Sequence, residues 1–360
     1  MMTFWLDIMT PKQVWLFESI KKGLEAKGHK AIVTTRIHDV VVDLLKLKGI
    51  PHYVAGKYGG ETLEGKLRAS TERILKLIDY VSPMAGEIDY SMHFSSPEAA
   101  RVAFGLGIKA MCLNDTPHST AVCKLTFPFS KYVISPACID PVKLIALGAG
   151  RDGIVQYDGV DEVAWIPNLR PDSSVLETLG LSASEPIVII RPEEAKAAYL
   201  REFKGISAQN FQAATLVKRI LKEFRNAQIV VMPRYDDQRA AITKEFHGKV
   251  VVPRHAIDGP SLLAYSTLTV SGGGTMTWES ALLGIPSISH FPMEMDVEKY
   301  LTAKGFPIFY SRNMDEVTSH ALAVLREPDK YRVNAKELTR DMESPLDAIS
   351  RILNESESRQ

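Results

Sequence analysis

Three consecutive glycines stand between an apolar run and a helical stretch in the sequence LTVSGGGTMTWESALLG. Glycines at such a junction let backbone N–H groups approach a ligand without a Cβ in the way, and the helix N-terminus adds partial positive charge. The sequence therefore predicts a diphosphate site here, although a tight turn with close helix packing would use the same glycines. The residues of this candidate site are Ser271, Gly272, Gly273, Gly274 and Thr275.

Other polar residues follow apolar runs in the same half of the chain, and several are arginines beside a proline. They are Arg191, Arg234, Arg254 with His255, and His290. Arginine at a strand exit suits a bidentate anion contact, although each could instead complement acids of the following helix. Glu279 lies about one turn into the helix after the glycines, where its carboxylate could accept hydrogen bonds from two ribose hydroxyls.

The first half of the chain offers candidates for proton transfer at the ends of predicted strands. They are Asp7, His93, Asp115 and His118. Asp115 and His118 stand close together in CLNDTPHS, and an aspartate with a histidine can act as a general base. Each also has a structural alternative: Asp115 could cap a helix beginning near Pro117, His93 could be a core residue, and Asp7 could fix a turn.

Several function classes lack their usual sequence signals. No Lys-Ser or Lys-Thr follows the glycines at P-loop spacing, and no GxGxxG follows the first strand. The 43 basic and 43 acidic residues give no electrostatic reason to expect a nucleic acid partner. Three cysteines without CxxC spacing predict neither a disulfide framework nor a zinc site. We therefore expect no metal and no cofactor.

The compartment is predicted from what the sequence lacks. No cationic start precedes the first apolar run, and no stretch reaches the ~18 apolar residues of a membrane span. We expect a cytoplasmic protein without a transmembrane segment. Peripheral contact at the inner membrane face is an alternative, because aromatics and lysines mix in CKLTFPFSKYV, yet that segment has no clean amphipathic period.

Short apolar runs alternate with longer helical stretches on both sides of a segment rich in glycine, aspartate and proline, residues 151–171. Strands separated by single helices predict parallel crossovers and two doubly wound, Rossmann-like α/β domains. We place an N-terminal domain at 1–160, a C-terminal domain at 161–340, and a C-terminal helix with a frayed tail at 341–360. Ligands bind beyond the carboxyl ends of such strands, so the two domains are expected to face a cleft.

Several stretches resemble a largely archaeal family of predicted glycosyltransferases. They are DIMTPKQVWLF, SSPEAARVAFGLGIKAMCLNDTPHS, IIRP, MPRYDDQR and SGGGTMTWESALLGIPSI, and the resemblance covers nearly the whole chain. That family is more distantly similar to the GT-B superfamily. Members of this superfamily include the lipid-linked N-acetylglucosaminyltransferase of peptidoglycan synthesis and the non-hydrolysing UDP-N-acetylglucosamine 2-epimerases.

The resemblance implies that the C-terminal domain binds a nucleotide sugar through the glycine turn, with Glu279 on the ribose and Arg191 on the diphosphate or base. The glycine-rich turn that helps the related transferase bind its acceptor is replaced here by DIMTPK, which makes Thr10 and Lys12 the acceptor-side candidates. We therefore predict a metal-independent glycosyltransferase that takes a sugar from a nucleoside diphosphate donor. UDP is the expected nucleotide of that donor. Its acceptor is unknown, and a lipid-linked molecule is one of the candidates.

Two other functions stay open at this point. An epimerase of the same architecture would eliminate UDP and add it back, with carboxylates such as Asp7, Glu294 and Asp296 as acid and base. The related epimerases carry two adjacent glutamates after their glycines, whereas this chain has Trp278 followed by Glu279. The third function is a non-catalytic protein that binds nucleotide sugars.

Overall fold

A computed structural model describes residues 1–193 and 212–357. The chain forms two compact units, one of residues 1–165 together with the chain from Met342 onward, and one of residues 166–341. Among the described residues, no helix is both long enough and apolar enough to cross a membrane.

The first unit contains a seven-stranded parallel sheet with the strand order β3-β2-β1-β4-β5-β6-β7. Its strands are β1 (Thr3–Ile8), β2 (Lys30–Ile37), β3 (Tyr53–Lys57), β4 (Tyr90–Phe94), β5 (Lys109–Leu113), β6 (Tyr132–Pro136) and β7 (Ile154–Tyr157). The helices between them are α1 (Pro11–Ala26), α2 (Val41–Leu47), α3 (Leu63–Val81), α4 (Pro97–Gly105), α5 (Thr120–Lys124) and α6 (Pro141–Ala146). A 3-10 helix, Asp161–Ala164, follows β7.

The described residues of the second unit form a five-stranded parallel sheet with the order β12-β11-β10-β8-β9. Its strands are β8 (Ile187–Arg191), β9 (Gln228–Val231), β10 (Leu268–Ser271), β11 (Ser287–Ser289) and β12 (Ile308–Tyr310). Its helices are α7 (Ser174–Leu179), α8 (Ala214–Glu223), α9 (Asp236–Phe246), α10 (Gly259–Ala264), α11 (Gly274–Leu282), α12 (Asp296–Ala303), α13 (Met314–Arg326), α14 (Pro328–Tyr331) and α15 (Ala335–Thr339).

The last helix, α16 (Pro345–Glu357), belongs to the first unit. Arg351 on this helix donates a hydrogen bond of 2.6 Å to the carbonyl oxygen of Gln156 in β7 and pairs with Glu343 at 2.6 Å. The helix therefore packs beside the edge of the first sheet, where β6 and β7 lie.

The central strands of both sheets are buried on both faces. In β1, the residues Phe4, Trp5 and Leu6 are fully buried, and in β8 the run from Ile187 to Ile190 is fully buried. Such strands read as continuous apolar runs, as is typical of parallel sheets covered by helices on both sides. The predicted fold class, two Rossmann-like doubly wound α/β domains, is confirmed in the form of these two parallel sheets.

Two strands gave no clear sequence signal. β3 is half-buried and contains Gly56 at φ +75°, and β7 is a short edge strand with only Tyr157 buried, so neither shows a strong apolar run. β7 and the 3-10 helix lie within the segment 151–171, which is rich in glycine, aspartate and proline. The apolar run KVVVPR at 249–254 forms only an isolated parallel bridge between Val230 and Val251, since Pro253 cannot donate to a ladder.

Candidate functional site

The carboxyl edge of the second sheet brings several of the predicted donor residues together. β8 ends at Arg191, which is paired in register with Ser271 at the end of β10. The backbone N–H of Gly272 donates to the carbonyl of Arg191 at 2.9 Å, and that of His290 donates to the carbonyl of Ser271 at 3.0 Å. Three adjacent strand ends therefore present these segments at one edge.

Two of the three glycines are required by packing. A Cβ on Gly272 would lie 2.5 Å from Cγ of Glu193, and a Cβ on Gly274 would lie 2.5 Å from Cζ2 of Trp278. Both contacts are closer than real Cβ atoms approach their neighbours, so either substitution would force buried groups to move. Gly272 and Gly274 therefore serve the close packing that was the structural alternative to a diphosphate site.

Gly273 has a different environment. Its backbone is extended, with φ −163° and ψ 167°, a conformation that any residue adopts. A Cβ there would meet only Nη2 of Arg234 at 3.0 Å and Oγ of Ser271 at 3.9 Å. The small size of Gly273 therefore leaves room for the Arg234 guanidinium and for anything that this guanidinium holds, rather than satisfying a backbone requirement.

Gly273 is also the N-cap residue of α11, and it provides no side-chain cap. The first N–H groups of a helix have no intrahelical acceptor, and they carry the positive end of the helix dipole. Oγ of Ser271 accepts from the Gly273 N–H at 3.1 Å, and Oγ1 of Thr277 donates to the Gly273 carbonyl at 3.0 Å. These contacts fix the turn that orients the following N–H groups of Gly274 and Thr275.

Arg191 and Arg234, two of the predicted arginines, have different local contacts. The Arg191 guanidinium donates to the carbonyl of Met232 at 3.0 Å and to that of Pro233 at 3.4 Å, so it ties β8 to the turn after β9. The backbone N–H of Arg234 donates to Oε1 of Gln238 at 3.0 Å, and its guanidinium reaches Gly273. Arg191 thus organises the loop that carries Arg234.

Three buried side chains complete this edge. Glu279 on α11 is 4% exposed. Nδ1 of His290 lies 3.1 Å from Oε1 of Glu193, and both side chains are almost fully buried. Glu193 was not selected from the sequence, although it follows the arginine-proline pair at the end of β8 in IIRPE.

In the first unit, Lys12 forms ion pairs with three carboxylates. Its Nζ donates to Oδ2 of Asp115 and lies 2.8 Å from Oδ2 of Asp161 and 3.1 Å from Oε1 of Glu162. Lys12 is 10% exposed, and the three acids are 2% exposed or less. In their ionised forms, three buried acids and one ammonium leave an excess of negative charge, which favours keeping a proton in the cluster.

The ionisation of this cluster follows from its burial and its charges. Burial raises the pKa of Asp115 to about 6, with Lys12 opposing the shift and Asp161 adding to it. Burial lowers the pKa of Lys12, but the three carboxylates outweigh it and raise that pKa well above its usual range. Burial and the carboxylate of Asp161, which accepts a hydrogen bond from the Tyr157 hydroxyl, raise the pKa of Tyr157. Asp115 is therefore the member suited to proton exchange near neutral pH.

Asp7 and His93 lie on neighbouring strands, paired in register, and both are fully buried. Asp7 accepts hydrogen bonds of 2.6 Å from Nη2 of Arg73 and 2.6 Å from Oγ1 of Thr34. Burial raises the pKa of Asp7, but the charge and hydrogen bond of Arg73 outweigh it and hold that pKa below its usual value. Burial lowers the pKa of His93 to about 4, so its imidazole is neutral at pH 7.

The remaining predicted residues lie near the Lys12 cluster in sequence. Thr10 is the N-cap residue of α1, in an extended conformation and without a side-chain cap bond. His118 is half-buried in the loop before α5. The helix there begins at Thr120 rather than near Pro117, and the Asp115 carboxylate contacts Lys12 instead of capping it.

The structure brings Lys12 and Asp115 together and adds Asp161 and Glu162, which sequence reasoning missed. Their signal was the acidic pair in DGVDEVAW, directly after the apolar run of β7. That run is too short to predict a strand, so the sequence alone does not indicate that Asp161 and Glu162 follow a strand end.

Comparison with known proteins places the chain in a family. Residues 2–355 match the family described as "Protein of unknown function (DUF354)", and the chain belongs to this family. The uncharacterized protein MJ0665 of Methanocaldococcus jannaschii is 32% identical over 322 residues, which cover 88% of this chain and 89% of that protein.

Solved structures share the fold over nearly the whole chain. The UDP-GlcNAc 2-epimerase from Neisseria meningitidis bound to UDP-GlcNAc has a TM-score of 0.74 at 15% identity, with 100% of both chains covered. The S. aureus MnaA–UDP structure has a TM-score of 0.72 at 13% identity, covering 98% of this chain and 95% of that one. Anabaena Alr3699/HepE in complex with UDP-glucose gives 0.62 at 15% identity, covering 99% and 100%. The predicted likeness to the 2-epimerases is confirmed at the level of the fold.

Proposed function

We propose that this protein is an enzyme that transfers a sugar from a nucleoside diphosphate donor, UDP in the first instance, to an acceptor hydroxyl. The observation that carries the proposal is the N-terminus of α11, where Gly273 keeps side-chain atoms away from uncapped N–H groups and the Arg234 guanidinium approaches. Structures of the same fold from Neisseria meningitidis, S. aureus and Anabaena hold UDP or a UDP-sugar, which supports a nucleotide sugar as the ligand.

The donor roles follow from chemistry at this edge of the sheet. The N–H groups of Gly274 and Thr275 and the guanidinium of Arg234 bind the diphosphate, because both are oriented donors to an anion. Glu279 accepts hydrogen bonds from the ribose hydroxyls. The imidazole of His290, whose Nδ1 lies 3.1 Å from Oε1 of Glu193, lies beside the same turn and contributes a further polar contact to the donor.

Transfer requires a base for the acceptor hydroxyl and stabilisation of the departing diphosphate. We assign the base to Asp115, whose Oδ1 is buried and has no hydrogen-bond partner among the described residues. The hydroxyl proton passes to Asp115 as the acceptor oxygen bonds to the anomeric carbon, and the bond from that carbon to the diphosphate oxygen breaks. UDP leaves with the electron pair, and its charge is balanced by Arg234 and the helix N-terminus.

Epimerisation is the second candidate, because the Neisseria meningitidis structure of the same fold is a UDP-GlcNAc 2-epimerase and the first unit holds a carboxylate cluster. A glutamate pair like that of the related epimerases would need a carboxylate at position 278. Trp278 occupies that position, is 2% exposed and packs against Gly274, so it supplies no acid or base there. Transfer is therefore the preferred function.

The donor site is tested by UDP binding to matched glycine variants, measured by calorimetry and thermal shift. Gly273→Ala should weaken UDP binding by about tenfold or more while the protein stays folded, since the new methyl group would stand in the ligand's approach. Gly272→Ala should instead lower the melting temperature, because its Cβ would collide with Glu193. Wild-type UDP affinity in folded Gly273→Ala would show that the whole glycine run serves packing.

The reaction is tested by incubating the protein with UDP-GlcNAc alone and following the products by NMR. Transfer predicts no C2 epimer, and at most slow hydrolysis to UDP and free sugar. Accumulation of the manno epimer without an acceptor would make epimerisation correct. Tight UDP binding with no turnover in the presence of any of a broad panel of acceptors would favour the non-catalytic alternative.

A further inference from the structure

Arg36 is a half-buried cation that forms no direct ion pair among the described residues. It lies near the carboxyl end of β2, and its Nε is buried with no hydrogen-bond partner among the described residues. Within residues 1–193 and 212–357, its guanidinium forms neither an ion pair nor a hydrogen bond. Its contact is the ring of Tyr58, whose centroid lies 5.5 Å from the guanidinium carbon.

The acids close to Arg36 belong to another arginine. Arg73 contacts Asp7 at 2.6 Å and Glu98 at 3.5 Å. Burial lowers the pKa of Arg36 and the like charge of Arg73 adds to that shift, whereas the charges of Glu98 and Asp7 oppose it. Two guanidinium groups thus share a region with two carboxylates, and both carboxylates pair with one of the arginines.

A guanidinium without a direct partner at such a position costs stability, because its desolvation is only partly offset by carboxylates that pair with another arginine. A protein that needed only packing against Tyr58 would obtain it from an apolar side chain at this position. The arrangement is expected instead where a ligand supplies the missing negative charge, since stability is commonly given up at binding sites.

The surroundings of Arg36 are preformed. The Tyr58 ring also contacts the imidazole of His38, with centroids 4.4 Å apart, and Nζ of Lys66 lies 5.8 Å from the ring centroid. The loop after Tyr58 is pressed against the start of α3, where a Cβ on Gly59 would lie 2.3 Å from the carbonyl oxygen of Gly65. Tyr58 is therefore held in place before any ligand arrives.

We propose that Arg36 and Tyr58 form a subsite for one singly charged oxyanion, a carboxylate or a phosphodiester, carried by the acceptor. One unpaired guanidinium matches one negative charge, and its planar fork matches two oxygens of either group. Asp115, the proposed base, belongs to the same unit as this subsite. The identity of the ligand as acceptor rests on the proposed function, whereas anion binding at Arg36 does not.

The first test is the melting temperature of the ligand-free full chain, because a structural arginine and a ligand-binding arginine give opposite results. Arg36→Met keeps an apolar stem on Tyr58 and removes the unpaired charge, so its melting temperature should equal or exceed that of the wild type. Arg73→Met removes the cation that pairs with Asp7 and Glu98, so its melting temperature should lie well below that of the wild type. Arg68→Met, on the exposed face of α3, is the matched control and should melt like the wild type.

The second test measures anion binding with dimethyl phosphate and with acetate, each against chloride at equal ionic strength, in full-length protein saturated with UDP to occupy the donor site. Wild type and Arg68→Met should show a saturable rise in melting temperature with at least one anion. Arg36→Met should lose the rise, and Arg36→Lys should retain part of it. A larger response to dimethyl phosphate identifies a phosphodiester, and a larger response to acetate identifies a carboxylate.

Three outcomes would overturn the inference: no anion response in the wild type, an equal response in Arg36→Met, or a melting temperature of Arg36→Met as low as that of Arg73→Met. Failure of UDP itself to bind would instead contradict the proposed function. The anion titration, repeated without UDP, would then still decide whether Arg36 binds an oxyanion.

Discussion

In the first unit, the carboxyl edge of the sheet is built from side-chain ion pairs. Lys12 contacts three buried carboxylates and Arg73 contacts two. In the second unit, the same edge presents an uncapped helix N-terminus and the guanidinium groups of Arg191 and Arg234. Two sheets of the same class thus carry different chemistry where their strands end.

The two edges differ in whether their charged groups titrate near neutral pH. Backbone N–H groups and arginines keep their charge at any physiological pH, so the second edge is suited to hold an anion. Buried carboxylates exchange protons when desolvation brings their pKa near neutrality, and Asp115 is such a group. This difference is the basis of our proposal that the second unit binds the donor and that Asp115 in the first unit accepts the proton.

The largest expected effect concerns the base. Asp115→Asn keeps the shape of the side chain but cannot accept a proton, so turnover should fall by about 100-fold to 10,000-fold. Donor affinity, measured as the Kd for UDP, should change far less, because that site lies in the second unit. Asp152→Asn, in the exposed 3-10 helix Arg151–Gly153, is the matched control and should retain wild-type turnover. Near-normal turnover in Asp115→Asn would remove proton transfer from this cluster.

The pH dependence sharpens the same assignment. Asp115 acts as a base only when ionised, and burial raises its pKa to about 6. The value of kcat/KM should therefore fall as the pH drops through about 6, whereas a carboxylate with an ordinary pKa would hold activity to about pH 4. An acid limb at pH 4 would show that a different, solvated group is the base.

Lys12→Met should produce the largest change in stability. It leaves Asp115, Asp161 and Glu162 buried without their cation, which is expected to reduce the free energy of unfolding by about 3 to 5 kcal/mol. The loss should be smaller at pH 5 than at pH 8, because Asp115 is protonated at the lower pH. Urea denaturation at both pH values measures it. Lys22→Met removes an exposed pair with Glu18 and should cost about 0.5 kcal/mol or less.

The sequence predicted the two parallel sheets because β1 and β8 are continuous apolar runs followed by helical stretches. It also indicated the glycine turn, since glycines between a strand and a helix have a local physical meaning. It did not predict the partners of Lys12, because Asp115 and Asp161 come from distant segments and meet only through the order of strands in the sheet. Arg36 was missed for a related reason, since an unpaired charge is recognised only when the positions of Asp7 and Glu98 are known.

A smaller effect is expected for the donor ribose. Glu279→Gln should weaken UDP binding by about 1.5 to 3 kcal/mol, the usual contribution of hydrogen bonds to a charged group. Binding of 2′,3′-dideoxy-UDP should change little, because the hydroxyls that Glu279 would bind are missing. Glu294→Gln, a more exposed acid in the same unit, serves as the control. Normal UDP binding with complete loss of turnover would instead make Glu279 an acid or base.

The last prediction uses a buried acid in the second unit that lacks the cation Lys12 provides in the first. Glu298 on α12 is fully buried and forms no ion pair among the described residues. Burial raises its pKa from 4.5 to about 7, with Ser289 and the backbone N–H of Met295 opposing the shift. The folded protein therefore binds this proton more tightly than the unfolded chain, so the stability from this group is complete below about pH 4.5 and lost as the pH rises to 7.

Glu298→Gln removes that dependence, because the amide stays neutral throughout. The variant should match the wild type at pH 4.5 and exceed its free energy of unfolding by about 1 to 3 kcal/mol at pH 8. Denaturant titrations at the two pH values measure the difference, with Glu337→Gln, an exposed acid on α15 of the same unit, as the control that should show no such pH-dependent gain. If Glu298→Gln were less stable than the wild type at pH 8, an unrecognised cation would be compensating Glu298. The two units would then differ in where their buried cations lie, and not in how many buried cations they contain.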